Sequence, residues 1–98
     1  MTAVPRALLP DMTDVVHAPA RSRFEYGTGD DVAVLTYEEG ERDVALLHTV
    51  VPPSLEGQGV GSRLAEAAVS WAHEQDLEVG PVCSFVRDWL ERHPQSTA

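Results

Sequence analysis

The sequence predicts a small mixed α+β/α/β domain: an antiparallel three-strand meander, a right-handed β-α-β crossover and a C-terminal helix. Three observations carry this. Two early runs alternate their side chains between two faces, and a third, Val44 to Val51, is apolar on both faces apart from His48 and Thr49. Three glycines at alternate positions, Gly57, Gly59 and Gly61, link that third run to a stretch with helical periodicity. A short apolar run and a second helical stretch complete the chain.

Met1 to Asp14 contains prolines and polar breaks without periodicity and reads as a flexible N-terminal arm ahead of one domain over residues 15–98. Arg21 to Tyr26 alternates and carries two aromatics, which suggests the first strand. Gly27 to Asp31 is a turn. Val32 to Glu38 alternates again, with Ala33, Leu35 and Tyr37 on one face. Glu39-Gly40-Glu41 is a second turn, and its glycine can take positive φ. Val44 to Val51, apolar on both faces apart from His48 and Thr49, reads as a central, doubly covered strand. Pro52-Pro53 ends it, because neither proline has an N–H to donate.

Val60 to about Gln75 is the first helix, with Val60, Leu64, Ala67, Ala68 and Trp71 as its buried stripe and Glu66, Ser70, His73 and Glu74 solvated. Leu77 to Val82 reads as a fourth strand parallel to the third. A last helix runs from Ser84 to about His93 with Phe85, Val86, Trp89 and Leu90 as its apolar stripe, and Pro94 stops it.

The chain has 98 residues, 43% of them hydrophobic, enough for one modest core. Its single cysteine, Cys83, excludes an intramolecular disulfide and fits a reducing, cytoplasmic setting. Nothing resembles an export signal or a membrane span. The formal net charge of −9 and the absence of lysine argue against a nucleic-acid partner and would steer a cationic substrate favourably. No Cys, His or Asp spacing suggests a metal site. A monomer or weak dimer is expected.

The strand–glycine–helix junction carries the chemistry. The first N–H groups of a helix lack intrahelical acceptors, and the helix dipole puts about half a positive charge there. That combination suits a pyrophosphate. A glycine-rich link is equally compatible with a plain tight turn. A Walker loop is excluded for want of a lysine, and the dinucleotide fingerprint spaces its glycines differently. Arg63 lies in the first helical turn, where it can aid an anion or simply be solvated.

Glu56-Gly57-Gln58-Gly59-Val60-Gly61 overlays the cofactor motif Gln/Arg-x-x-Gly-x-Gly/Ala, and the order of elements resembles the GNAT superfamily of acetyl-CoA-dependent N-acetyltransferases. More narrowly, the chain resembles its minimal stand-alone members. The resemblance rests on His48-Thr49-Val50-Val51-Pro52, Gly57-Gln58-Gly59, Pro81-Val82-Cys83-Ser84-Phe85-Val86 and Arg92-His93-Pro94, and covers Ser22 to Pro94. It implies a small GNAT-like domain that binds acetyl-CoA or coenzyme A. The pyrophosphate would sit on Gly57, Gln58, Gly59, Val60, Gly61 and Ser62, and the pantetheine arm beside Thr49, Val50 and Val51, in the manner of an added strand. The thioester would lie where the third and fourth strands diverge, close to Cys83. Glu56 departs from the motif's Gln or Arg, Ser84 from the family's proline, and no tyrosine follows Tyr37 to act as general acid.

The function so implied is N-acetyl transfer to a small-molecule or protein amine. Either Cys83 protonates the departing thiolate, or Cys83 takes the acetyl group first and passes it on. A helix N-terminus favours a thiolate and apolar burial disfavours it, so Cys83 reads as packing or as catalyst. His48, expected on the side of Val44, Leu46 and Val50, reads as a core histidine or as a general base orienting Cys83. His93 is expected to cap the last carbonyls, and His17 carries no signal. A non-catalytic acyl-CoA-binding or protein-interaction module would keep the cleft but seal the thiol in core.

Overall fold

The computed structural model describes residues 15–93; the arm expected over residues 1–14 and the helix-ending Pro94 lie outside them. The sheet starts earlier than the sequence pattern suggested. β1 (Val15–Ala18) pairs antiparallel with β2 (Arg23–Thr28) across a short 3-10 turn over Pro19–Arg21, closed by Ser22 at φ 54°. The expected first strand is therefore displaced: Arg21 belongs to the turn, and the strand continues through Gly27 to Thr28. β1 escaped notice because Val15-Val16-His17-Ala18 is four residues long and does not alternate.

β3 (Asp31–Glu39) and β4 (Asp43–Val50) complete the antiparallel meander. α1 (Val60–Glu74) crosses over to β5 (Glu78–Pro81), which pairs parallel with β4, and α2 (Ser84–Arg92) follows. The strand order is β1-β2-β3-β4-β5. At Gly27, φ is 109° and a Cβ would run into the Asp31 carbonyl, so only glycine fits this rung of the hairpin.

One face of the sheet makes the core. Phe24, Ala33, Leu35, Tyr37, Val44 and Leu46 are buried there, with Val60, Leu64, Ala65, Ala68, Val69 and Ala72 of α1. This corrects the expected helix stripe. Val60, Leu64 and Ala68 are buried as expected, but Ala65, Val69 and Ala72 join them, and Ala67 and Trp71 are only half-buried. At about 100° per residue these positions span roughly half the helix circumference, wider than one stripe. Glu66, Ser70, His73 and Glu74 are exposed.

Trp71 instead closes an aromatic cluster with His17, Phe24 and Tyr37. The His17 ring stacks on Phe24 at 4.2 Å, and the Trp71 ring stands 4.9 Å from both His17 and Tyr37. Each such aromatic contact contributes about 0.5–1.5 kcal/mol beyond area burial. The cluster binds β1 to α1 across the sheet. In α2, Val86 and Trp89 are buried while Phe85 and Leu90 are half-buried. His93 stacks on Trp89 at 4.3 Å and its Nδ1 meets the Trp89 carbonyl at 2.8 Å, the C-terminal cap expected of it.

Candidate functional site

A β-bulge organises the site. Tyr37 pairs with Leu46 and the next rung joins Thr36 to His48, so Leu47 is an extra residue in β4. An extra residue exchanges the two faces of a strand. Val44 and Leu46 therefore face the core before the bulge, and Thr49, paired with Leu35, faces it afterwards. His48 turns to the opposite face with Val50 and is exposed. The expectation that His48 shares a side with Val44 and Leu46 is thus corrected, and no contact joins it to Cys83. Val50 is 57% exposed for the same reason.

The β4–β5 pairing ends at Leu46 and Pro81. The Cys83 amide then donates to the Leu46 carbonyl at 2.9 Å and the chain turns away into α2. Beyond that bond, the edge of β4 from Thr49 onward has no partner strand on its β5 side among the described residues. The expected gap between the diverging strands is present.

A cleft of about 550 Å³ opens there, lined by Thr49 and Val50 of the β4 edge, by Val51 just past it, and by Gly57, Gly59, Val60, Gly61 and Ser62 of the loop and helix start. Of the residues expected to hold a cofactor, only Gln58 is outside the lining; its side-chain amide donates to the Ser54 carbonyl at 3.1 Å and steadies the loop. Glu56, the first position of the motif, also lines the cleft, and so do Leu55 and Phe85, which were not foreseen as binding residues. Pro53–Leu55 forms a short 3-10 turn, which carries Leu55 to the cleft wall.

The glycines divide by role. Gly59 caps α1 at φ 76° and Gly57 stands at φ 80°, with nothing within 4 Å of where a Cβ would be at either. Their backbones face open space. Gly61 differs: the Phe85 ring lies 2.7 Å from its would-be Cβ, so the space gained there is filled by the protein itself. The first helical bond runs from Arg63 N–H to the Gly59 carbonyl at 3.1 Å. The N–H groups of Val60, Gly61 and Ser62 thus lack intrahelical acceptors at the mouth of the cleft. Arg63 is half-buried and not simply solvated: its Nη1 donates to the Tyr26 hydroxyl at 3.1 Å, with the guanidinium 5.7 Å from the ring centre.

Cys83 is the N-cap of α2. Its thiol is half-buried, is not part of the cleft lining, and donates to Thr49 Oγ1 at 3.6 Å. Burial pushes the thiol's pKa up, but hydrogen bonding with the Val86 backbone, the Thr49 side chain and the Phe85 and Thr49 backbones outweighs it, and the net shift is downward. The thiol is neither sealed in core nor bare in the cleft; Thr49 stands between. Among the described residues no group of His, Cys, Asp and Glu could hold a metal ion, and no helix is long and apolar enough to cross a membrane.

Comparison with known proteins identifies the relatives of this chain. Residues 23–98 match the profile of a family described as GCN5-related N-acetyl-transferase. The chain is similar to Protein NATD1 of Xenopus tropicalis, 37% identical over 65% of this chain and 60% of that protein, and to Protein NATD1 of Homo sapiens, 38% identical over 65% of this chain and 58% of that protein. Protein NATD1 of Danio rerio is 35% identical over 82% of this chain and 76% of its own length. For the first two, the match spans about three-fifths of the relative.

Proposed function

The chain belongs to the GCN5-related N-acetyltransferase family, and from that premise we propose that it binds acetyl-CoA in the β4–α1 cleft and transfers the acetyl group to an amine. The observation that carries the reading is the cleft: the unpaired β4 edge on one wall and the helix-start amides of Val60, Gly61 and Ser62 on the other. The amides suit the pyrophosphate. The β4 edge at Thr49 and Val50, with Val51 just past it, suits the amide-bearing pantetheine arm, which can pair there as a strand would. Leu55 and Phe85 supply apolar wall. Bound acetyl-CoA supplies the activated acyl carbon; this chain's residues bind it, exclude water and manage the proton.

The amine must arrive neutral and the sulfur must leave protonated. Cys83 is the proton donor for that sulfur: its thiol reaches Thr49 on the cleft wall at 3.6 Å, and hydrogen bonding around the sulfur holds its pKa below the ordinary cysteine value. The acidic balance of the chain, −9, favours a cationic acceptor. A single free thiol suits work in the reducing cytoplasm. A second reading, a module that binds acyl-CoA without turnover, draws support from one fact: Cys83 does not line the cleft. Calorimetric titration with acetyl-CoA, followed by a screen of primary amines for CoA release, tests the proposal. No heat of binding at millimolar acetyl-CoA would remove both readings; binding without release to any amine would favour the second.

A further inference from the structure

Between the thiol and the cleft stands one hydroxyl. Cys83 Sγ–H points at Thr49 Oγ1 at 3.6 Å, within reach for a sulfur donor, and Thr49 lines the cleft while Cys83 does not. The bulge at Leu47 makes this possible, because without the extra residue Thr49 would face away from the core side and His48 would take its place. We propose that Thr49 is a proton relay: its hydroxyl holds the Cys83 proton and hands a proton into the cleft, to the sulfur that leaves when the acetyl group is transferred. The inference rests on the acetyl-transfer reading of the same cleft.

The step balances without any further reactant. As the amine nitrogen bonds to the acyl carbon, the carbon–sulfur bond breaks. The sulfur takes the Thr49 hydroxyl proton, Thr49 takes the Cys83 thiol proton, and Cys83 is left as thiolate. The acetylated nitrogen sheds its surplus proton, which restores the Cys83 thiol. Cysteine and the leaving group are both alkyl thiols, so the transfer runs between groups of similar acidity and needs little driving force. The α2 start, with the Val86 and Phe85 backbones at the sulfur, is suited to hold the transient thiolate. Cys83 is on this account an acid and not a nucleophile, and transfer is direct.

The test uses the intact protein and needs no acceptor. The rate of Cys83 alkylation by iodoacetamide is followed against pH in the parent, Thr49→Val and Thr49→Ser, and acetyl-CoA binding is measured by calorimetry in each. The valine variant keeps the shape and loses the hydroxyl; its alkylation midpoint should rise by about half a unit, roughly threefold less thiolate at a given pH. The serine variant should restore the parent midpoint. Parent protein incubated with acetyl-CoA alone should show no acetyl group on Cys83 by mass. An unchanged midpoint in Thr49→Val with acetyl-CoA binding intact overturns the relay alone. Acetylated Cys83 in the parent also overturns it, since the thiol then reaches the acyl carbon unaided. Absence of acetyl-CoA binding in the parent overturns the functional reading and the relay with it.

Discussion

The Phe85 ring occupies the space a side chain at Gly61 would need: its tip lies 2.7 Å from the position of a Cβ there. The starts of α1 and α2 are held together at this contact, with Cys83 two residues before the ring and the cleft beside it. Gly61→Ala sets two effects against each other. Alanine in a helix gains about 0.5–1 kcal/mol over glycine, while forcing a methyl into an occupied site costs about 1–3 kcal/mol. The clash should win, with a net loss of about 1 kcal/mol by urea unfolding. Gly61→Ala combined with Phe85→Leu should recover most of it. A Gly61→Ala protein more stable than the parent would show that the ring moves aside freely.

The site was legible where residue type dictates geometry and illegible where packing does. Gly59 and Gly57 announce a special backbone, and both adopt positive φ beside the cleft. Pro52-Pro53 announces the end of β4. The bulge left no trace, because Val44 to Val51 is apolar on both faces and a change of face alters no polarity pattern. His48 was therefore assigned to the wrong side, and the partner of Cys83 proved to be its neighbour Thr49. Leu55 and Phe85 reach the cleft through a short turn and a helix start that periodicity does not locate. β1 and His17 went unseen for a related reason: the alternation that marks strands needs more than four residues to register.

Gly59 should be the position most sensitive to charge. An Asp there must hold φ 76°, a region non-glycine residues enter at a cost, and it places a carboxylate at the helix-start amides. Gly59→Asp should weaken acetyl-CoA binding more than tenfold, about 1.4 kcal/mol, by calorimetry. Gly59→Asn shares the backbone strain and the shape without the charge, and asparagine tolerates positive φ. The difference between the two variants isolates the anion term. Equal affinity for Asp and Asn would mean the pyrophosphate does not lie at these amides.

His48 offers a negative control for the corrected face. It pairs with Thr36, is exposed, and points away from the side on which Cys83 meets Thr49. His48→Ala should leave the pH profile of Cys83 alkylation and the affinity for acetyl-CoA within about twofold of the parent, as expected for an exposed site away from any such partner. A shift in the thiol's midpoint would require His48 to reach the thiol from the other side of the strand.

The aromatic cluster gives the fold a pH dependence of predictable sign. His17 Nε2 lies 2.6 Å from the Tyr37 hydroxyl, and a neutral ring that carries its proton on Nδ1 accepts from that hydroxyl. Burial lowers the His17 pKa, and Glu39 opposes this without reversing it. Burial likewise raises that of Tyr37, again with Glu39 contributing, so the hydroxyl stays protonated and available as donor. A histidine depressed in the folded state binds fewer protons there than when unfolded. Its contribution to stability is complete above the unfolded value of about 6.5 and is lost as pH falls through the lower folded value. Protonation would place a charge among Phe24, Tyr37 and Trp71 and remove the acceptor from Tyr37. The urea midpoint should therefore fall from pH 7 towards pH 5 more steeply in the parent than in His17→Gln, which can still accept from Tyr37 but does not titrate. Because β1 is an edge strand held partly by this ring, the loss should begin there, and amide exchange in Val15–Ala18 should quicken before exchange in β3. Parallel pH curves for parent and variant would show that His17 does not titrate with folding, and the cluster would then act through packing alone.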